Sequence, residues 1–151
     1  MSEEQFKPNT TVATVVCFKD RFLLVEEIEN GKRVFNQPAG HIEAKENLID
    51  AAKRELHEET NITAEPEYLS GIYYFHRPDL SLYYLRFCFV LHLNEIPDTS
   101  PNDSDIIATH WLTYEEIVTR KNQLRSPMVL ECIDDYLNGN RIPLSTLKSN
   151  L

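Results

Sequence analysis

The sequence predicts an α/β domain with a central mixed β-sheet. Short segments rich in β-branched and aromatic residues, each bounded by turn residues, lie on both sides of a strongly helical segment, and two more helical segments follow them. The chain has 151 residues, of which 42% are hydrophobic and 26% are charged, which suits one globular domain with its own core. We therefore expect a single domain over residues 1–151.

Three candidate strands precede the first helix. Residues 10–18 and 22–28 are β-branched and apolar, and the polar residues between them predict a hairpin turn. Residues 34–37 form a shorter candidate strand, which Pro38 and Gly40 should end because neither residue suits a strand interior. A glycine-containing loop is expected to lead from there into the helix.

The first helix has recognisable ends and one apolar face. Asn47 is the expected N-cap, and the helical pattern continues to about Thr60. Leu48, Ala52 and Leu56 recur every four residues and form an apolar stripe. This stripe is expected to pack on the sheet.

The second half of the chain predicts two more strands and two more helices. Residues 67–74 and 82–93 are rich in Tyr, Phe, Leu and Val, and a polar turn joins them. A capping-box pattern predicts a helix over residues 114–119, and a third helix is expected to begin at Pro127 and to end at Gly139. The resulting order of elements is typical of an α/β domain with a mixed sheet.

The composition argues against several classes of protein. A formal net charge of −9 at pH 7 disfavours nonspecific binding to nucleic acid or to anionic membranes. No apolar run approaches the roughly 20 residues of a membrane-spanning helix. The acidic, polar N-terminal segment does not resemble a secretory signal, so we expect a cytoplasmic protein. The three cysteines are widely spaced in apolar segments, which predicts reduced, buried thiols.

Three carboxylates share one face of the first helix. At about 100° per residue, Glu55, Glu58 and Glu59 fall within an arc of roughly 100°. Like charges at this spacing destabilise a helix unless a cation neutralises them. Oxygen ligands favour Mg²⁺, with Mn²⁺ as a substitute, and such an ion would attract a phosphate compound to this acidic protein. The alternative is a solvated acidic face offset by neighbouring basic side chains.

The surrounding segment decides between these alternatives. Residues 40–62 read GHIEAKENLIDAAKRELHEETNI and resemble the Nudix box, G-x(5)-E-x(7)-R-E-U-x-E-E-x-G-U, where U is a bulky aliphatic residue. Six fixed identities in register arise by chance on the order of once in ten million starting positions. The resemblance to the Nudix family implies an α/β/α sandwich with a central mixed β-sheet. Asn61 replaces the last box glycine, and Asn tolerates the left-handed conformation expected there.

The resemblance implies a divalent metal site on the box residues. Glu55, Glu58 and Glu59 correspond to the usual metal ligands and catalytic carboxylates of the family. Glu46 is a further candidate ligand, whose alternative role is to favour the helix N-terminus. Ala39, which precedes the first box glycine, is a candidate ligand through its backbone carbonyl.

Two other catalytic roles follow from the resemblance. Arg54 is expected to orient a neighbouring carboxylate, the alternative being an exposed arginine without a role. The general base varies within the family, and it often lies shortly before a tryptophan-containing strand. Asp105 holds this position before Trp111 and is the first choice, with Asp103 second, and a box glutamate is the alternative base. A solvated turn is an equally weighted alternative for these aspartates.

Substrate contacts are expected mostly from outside the box. Arg86 lies in an apolar segment, and an unpaired buried guanidinium is costly, so we expect it to face phosphate. Aromatic residues can stack on a base, although strand aromatics more often pack in a core. His41 beside the box glycine contacts either phosphate or solvent. The candidate substrate-binding residues are Phe35, Gln37, His41, Tyr73, Tyr74 and Arg86.

Residues 6–143 also resemble one bacterial group of Nudix phosphatases. The segments that carry this resemblance are VFNQPAGHIE, YLRF, NDSDI and LRSP. That group releases orthophosphate from nucleoside tri- and diphosphates, and also acts on hydroxymethylpyrimidine diphosphate. The expected partner is a small-molecule phosphate substrate, bound by a monomer or homodimer. One alternative is a pyrophosphatase acting on a sugar nucleotide or oxidised dGTP. The other is a non-catalytic nucleotide-binding module, against which the complete set of box glutamates argues.

Overall fold

The computed structural model describes residues 4–151, so the first three residues of the segment used to predict localisation lie outside it. The strands are β1 (Asn9–Phe18), β2 (Arg21–Glu29), β3 (Lys32–Asn36), β4 (Ala39–His41), β5 (Tyr68–Arg77), β6 (Leu82–His92) and β7 (Ile106–Thr113). The α-helices are α1 (Leu48–Thr60), α2 (Tyr114–Thr119) and α3 (Met128–Leu137). Two short 3-10 turns, at Lys121–Gln123 and Leu144–Thr146, complete the regular structure of the described residues.

The strands form one mixed sheet. Its main order is β3-β2-β1-β6-β5, while β4 pairs with β1 and β7 pairs with β2. β1 and β6 run parallel, and the other paired strands run antiparallel. β1 pairs with β2 only next to their turn, at Cys17 and Phe18. The two strands therefore diverge beyond the turn, where β4 pairs with β1 instead.

Helices cover both faces of this sheet. On one face, Ala52 and Leu56 of α1 are buried against strand side chains. On the other face, Ile117 of α2 and Val129 and Ile133 of α3 belong to the main apolar cluster. The predicted α/β/α sandwich with a mixed central sheet is thereby confirmed.

The predicted segments and the observed elements differ at two places that border the site. The residues after Pro38, predicted as a loop, form β4 because their backbone pairs with β1 over Ala39–His41. β5 extends to Arg77, beyond the predicted residues 67–74, because Arg77 pairs with Leu82 of β6. Sequence patterns report neither pairing, since both depend on contacts with another strand.

Two compositional expectations can be compared with the structure. The three cysteines are buried and free, as predicted. Over residues 4–151, no helix has both the length and the apolar character needed to cross a membrane.

Candidate active site

Caps at both ends fix the position of α1. The side-chain oxygen of Asn47 accepts a hydrogen bond of 2.8 Å from the backbone N–H of Asp50, which confirms the predicted N-cap. At the other end, Asn61 adopts φ 66° and ψ 14°, and its N–H donates to the carbonyl of His57 at 2.8 Å. Asn61 therefore takes the left-handed conformation expected of the missing glycine, and the helix end is preserved.

The carboxylate of Glu55 lies against the backbone of Gly40 in β4. A Cβ atom at position 40 would come within 2.1 to 2.3 Å of the carboxylate carbon and oxygens of Glu55. Glycine is thus required there because of space. Burial raises the pKa of Glu55, and hydrogen bonding to Arg54 opposes the increase.

Glu59 is buried at the end of α1. Its Oε1 accepts a hydrogen bond of 2.8 Å from the backbone N–H of Ala39. Burial raises the pKa of Glu59 to about 9, and the negative charge of Glu27 on β2 contributes to the increase. Burial therefore disfavours the charged form of this carboxylate, whereas the hydrogen bond from Ala39 favours it.

Arg54 connects the other box carboxylates. Its Nε and Nη2 donate to the two carboxylate oxygens of Glu46 at 2.7 and 3.0 Å. Its Nη1 contacts Glu55 at 2.8 Å and Glu58 at 3.4 Å, and Nη2 also donates to the carbonyl of His41 at 3.0 Å. With a side chain only 22% exposed, Arg54 fits the expected orienting role better than that of an exposed arginine.

The box carboxylates provide the oxygen ligands of a metal site, but they are not grouped around one common position. Within residues 4–151, no three acidic, histidine or cysteine side chains are close enough together to hold a metal ion. The reason is that the guanidinium of Arg54 lies among Glu46, Glu55 and Glu58, while Glu59 is bound to β4. These oxygens already surround one positive charge, and oxygen ligands suit Mg²⁺ or Mn²⁺. The residues therefore fit such an ion after side-chain reorientation.

The loop before β7 brings one aspartate close to these carboxylates. The backbone N–H of Asp103 donates to the carbonyl of Glu58 at 3.0 Å, and the charge of Asp103 raises the pKa of both Glu55 and Glu59. Asp105 is exposed, and its backbone N–H donates to Asp103 Oδ1 at 2.9 Å. The structure thus places the second candidate base, and not the first, beside the box carboxylates.

A polar cavity adjoins β4. It has a volume of about 80 Å³, and its lining includes residues of β4 together with Arg77, Arg86 and Arg125. Phe75 and Tyr84, which stack with ring centres 5.3 Å apart, also line it. We refer to it as the arginine cavity. Arg86 was a predicted substrate contact, whereas Arg77 and Arg125 were not, although Arg125 lies in the LRSP segment that supported the resemblance.

Three other predicted substrate contacts lie at or near this cavity. His41 lines it, and the side chain of Gln37 is buried and accepts a hydrogen bond from Arg86 Nη1 at 3.4 Å. Phe35 belongs to the main apolar cluster, where its ring meets His110 edge-on. Phe35 therefore belongs to the core and does not line the cavity.

The structure does not bring Tyr73 or Tyr74 to the arginine cavity. Tyr73 is buried under α3, and its hydroxyl donates to Asp135 at 2.6 Å. Tyr74 is 62% exposed and stacks on Tyr83. Successive side chains of a strand point to opposite faces, so adjacent tyrosines cannot both face one ligand.

Comparison with known proteins agrees with this geometry. The NUDIX domain model matches residues 7–132. Phosphatase NudJ of Escherichia coli K12 is 48% identical over 142 residues, which cover 94% of this chain and 92% of NudJ.

Solved structures lead to the same family. A NUDIX hydrolase from Nitrosomonas europaea has a TM-score of 0.88 and 41% identity, with 95% of this chain and 98% of that chain covered. The NUDIX domain of Shewanella oneidensis NrtR, complexed with ADP ribose, shares the fold, with a TM-score of 0.76, 14% identity, and 89% and 90% of the two chains covered. The chain therefore belongs to the Nudix family and is a Nudix hydrolase closely related to phosphatase NudJ.

Proposed function

We propose that this enzyme is a Mg²⁺-dependent phosphatase that releases orthophosphate from nucleoside tri- and diphosphates. The observation that carries the proposal is the complete set of box glutamates, positioned beside an arginine-lined cavity in a chain 48% identical to phosphatase NudJ. Hydroxymethylpyrimidine diphosphate, a small diphosphate of the same chemical class, is a further proposed substrate, and Mn²⁺ is expected to replace Mg²⁺.

The proposed ion-binding residues lie on α1 and β4. Glu55, Glu58 and Glu59 would hold the ion, with Glu46 and the carbonyl of Ala39 as additional candidates. When bound, a divalent cation neutralises phosphate oxygens and lowers the pKa of a coordinated water. The burial of Glu55 and Glu59 supports this role, because buried carboxylates interact strongly with a cation in a medium of low dielectric constant.

We propose that Asp103 is the general base for the attacking water. Its half-buried position next to α1 supports it over Asp105, our first choice from the sequence. The water attacks the terminal phosphorus, the bond to the bridging oxygen breaks, and a shortened nucleotide leaves with that oxygen. Asp103 accepts the proton of the water during the attack.

A matched pair of variants separates the two aspartates. Asp103→Asn is expected to lower kcat about 100-fold, the effect typical of losing a general base, with little change in KM. Asp105→Asn should retain kcat within about threefold, since Asp105 is exposed and, within residues 4–151, its side chain has no hydrogen bond to α1. Steady-state assays of phosphate release measure both variants, and the reverse order of effects would return the role to Asp105.

The identity of the products tests the proposed reaction. Chromatography of reactions in ¹⁸O-labelled water should show orthophosphate that carries the label, together with an unlabelled, shortened nucleotide. Label in the nucleotide would place the attack on an inner phosphorus. Pyrophosphate or a sugar phosphate as product would identify the enzyme as a pyrophosphatase of another nucleoside-diphosphate compound, such as a sugar nucleotide or oxidised dGTP.

A further inference from the structure

The arginine cavity contains buried polar atoms that have no hydrogen-bond partner within residues 4–151. These atoms are Arg86 Nε, Thr11 Oγ1 and Asn36 Oδ1, and their residues are 7%, 4% and 5% exposed. Buried polar groups in native proteins are almost always paired, because an unpaired group loses its hydration without compensation. Three such atoms in the lining of one cavity indicate a ligand that pairs with them.

The charge of the cavity indicates an anion. Arg77 and Arg125, which line it, are paired with carboxylates. Glu29 contacts their guanidinium groups at 3.0 and 2.8 Å, and Asp79 and Glu27 contact Arg77 and Arg125, respectively, at 2.7 Å. Over residues 4–151, by contrast, no carboxylate lies within salt-bridge distance of Arg86, whose neighbours are Gln37 Oε1 at 3.4 Å and the ring of Phe75. A buried guanidinium without a carboxylate partner is costly unless a ligand supplies the negative charge.

A second, larger cavity continues from the first. It has a volume of about 620 Å³ and shares Arg77, Arg125 and Ser126 with the arginine cavity. Leu124 and Leu130 contribute apolar surface to it. We refer to it as the α3 groove. Its volume lies within the range of cavities that hold small organic ligands, whereas the arginine cavity is too small for a nucleoside.

The site components therefore follow one another in a fixed order. The carboxylates of Glu55 and Glu59 contact β4, the arginine cavity is lined by β4, and the α3 groove continues from the arginine cavity. A di- or triphosphate ester has the same order, from its terminal phosphate through the inner phosphate to its organic moiety.

We propose that the arginine cavity binds the inner, leaving-group phosphate of the substrate and that the α3 groove binds its organic moiety. Arg86 Nε and the hydroxyl of Thr11 donate hydrogen bonds to phosphate oxygens. The amide of Asn36 turns to present its Nδ2 as a third donor, since its Oδ1 has no partner to lose. This inference rests on the proposed function, and it would place the terminal phosphate at the box glutamates, from which it would be released as orthophosphate.

Binding without metal tests this arrangement apart from catalysis. We would titrate the full chain in EDTA with CMP, GMP and inorganic phosphate by calorimetry. The nucleoside monophosphates should bind at least about 10-fold more tightly than inorganic phosphate, because they also fill the α3 groove. Arg86→Gln should weaken nucleotide binding by about 10- to 100-fold, the effect of losing a buried charged hydrogen-bond donor.

Two further variants complete the experiment. Leu130→Trp adds side-chain volume to the α3 groove and should weaken CMP binding while leaving inorganic phosphate unaffected. Arg21→Gln is the matched control, because Arg21 begins β2 at the opposite end from Glu29, and it should change neither affinity. Arg86→Lys is a second variant at position 86, and it keeps the positive charge without the planar guanidinium group. Circular dichroism and melting curves verify that each variant is folded.

Unchanged nucleotide affinity in folded Arg86→Gln or Arg86→Lys would overturn the phosphate assignment. Equal effects of Leu130→Trp on CMP and inorganic phosphate, or no effect on either, would overturn the groove assignment. A failure of the proposed function would give a different result. Wild-type protein would then bind CMP in an Arg86-dependent manner but release no orthophosphate from nucleotides in Mg²⁺.

Discussion

Glu58→Gln is expected to lower kcat/KM for nucleoside diphosphate hydrolysis in Mg²⁺ by about 1,000-fold, because a ligand of a catalytic ion supports several kcal/mol of transition-state stabilisation. The side chain of Glu58 is 45% exposed, the most accessible of the three metal-ligand candidates on α1. Replacing its carboxylate with an amide of the same shape should therefore leave packing intact. Steady-state phosphate release over a range of Mg²⁺ concentrations measures the effect, and melting curves verify the fold.

Glu65→Gln is the control for this change. Glu65 lies just beyond α1, with a side chain that is 75% exposed and forms a surface ion pair with Lys53. Its neutralisation should leave kcat/KM within about twofold, as expected for a surface ion pair. Equal activity of wild-type and Glu58→Gln enzymes at all Mg²⁺ concentrations would show that Glu58 does not bind the catalytic ion.

Gly40→Ala is expected to reduce kcat/KM about 100-fold with a much smaller effect on folding. The new methyl group would lie 2.1 Å from the carboxylate carbon of Glu55, so this side chain has to leave its position against β4. A displacement of about 1 Å in a catalytic group is enough for an effect of this size. The change in kcat/KM is measured together with the free energy of unfolding from urea titration.

Gly31→Ala is the control, and it should lower stability without lowering activity. Gly31 has a φ of +76°, and no atom of residues 4–151 outside its chain neighbours lies within 4 Å of the place that a Cβ would take. Alanine there therefore introduces backbone strain without a steric contact. We expect a loss of about 1 kcal/mol in the free energy of unfolding and unchanged kcat/KM. If Gly40→Ala enzyme kept full activity, the close packing of Glu55 on β4 would have no catalytic importance.

The features that depend on local spacing could be predicted from the sequence. The box pattern placed the acidic face of α1, and the tolerance of Asn for positive φ predicted the conformation of Asn61. The apolar stripe of α1 predicted which of its sides packs on the sheet. Each of these features is set within one or two helical turns, so neighbouring residues carry the necessary information.

Features that depend on distant contacts could not be predicted in the same way. β4 forms because three residues pair with β1, and the sequence around them contains Pro38 and Gly40, which argue for a loop. Asp103 approaches α1 through its backbone hydrogen bond to Glu58, whereas residue type alone does not distinguish it from Asp105. Arg77 and Arg125 both contact Glu29, which is far from both in the sequence.

We propose that the glutamates of α1 hold a divalent cation, which is required for the hydrolysis of a terminal phosphoanhydride bond by water. The most direct measurement is orthophosphate release from a panel of nucleoside tri- and diphosphates, together with hydroxymethylpyrimidine diphosphate, in Mg²⁺ and in EDTA. We predict release in Mg²⁺, none in EDTA, and recovery when excess Mn²⁺ replaces Mg²⁺. Release that persists in EDTA, or the absence of release from the whole panel in Mg²⁺, would contradict the account.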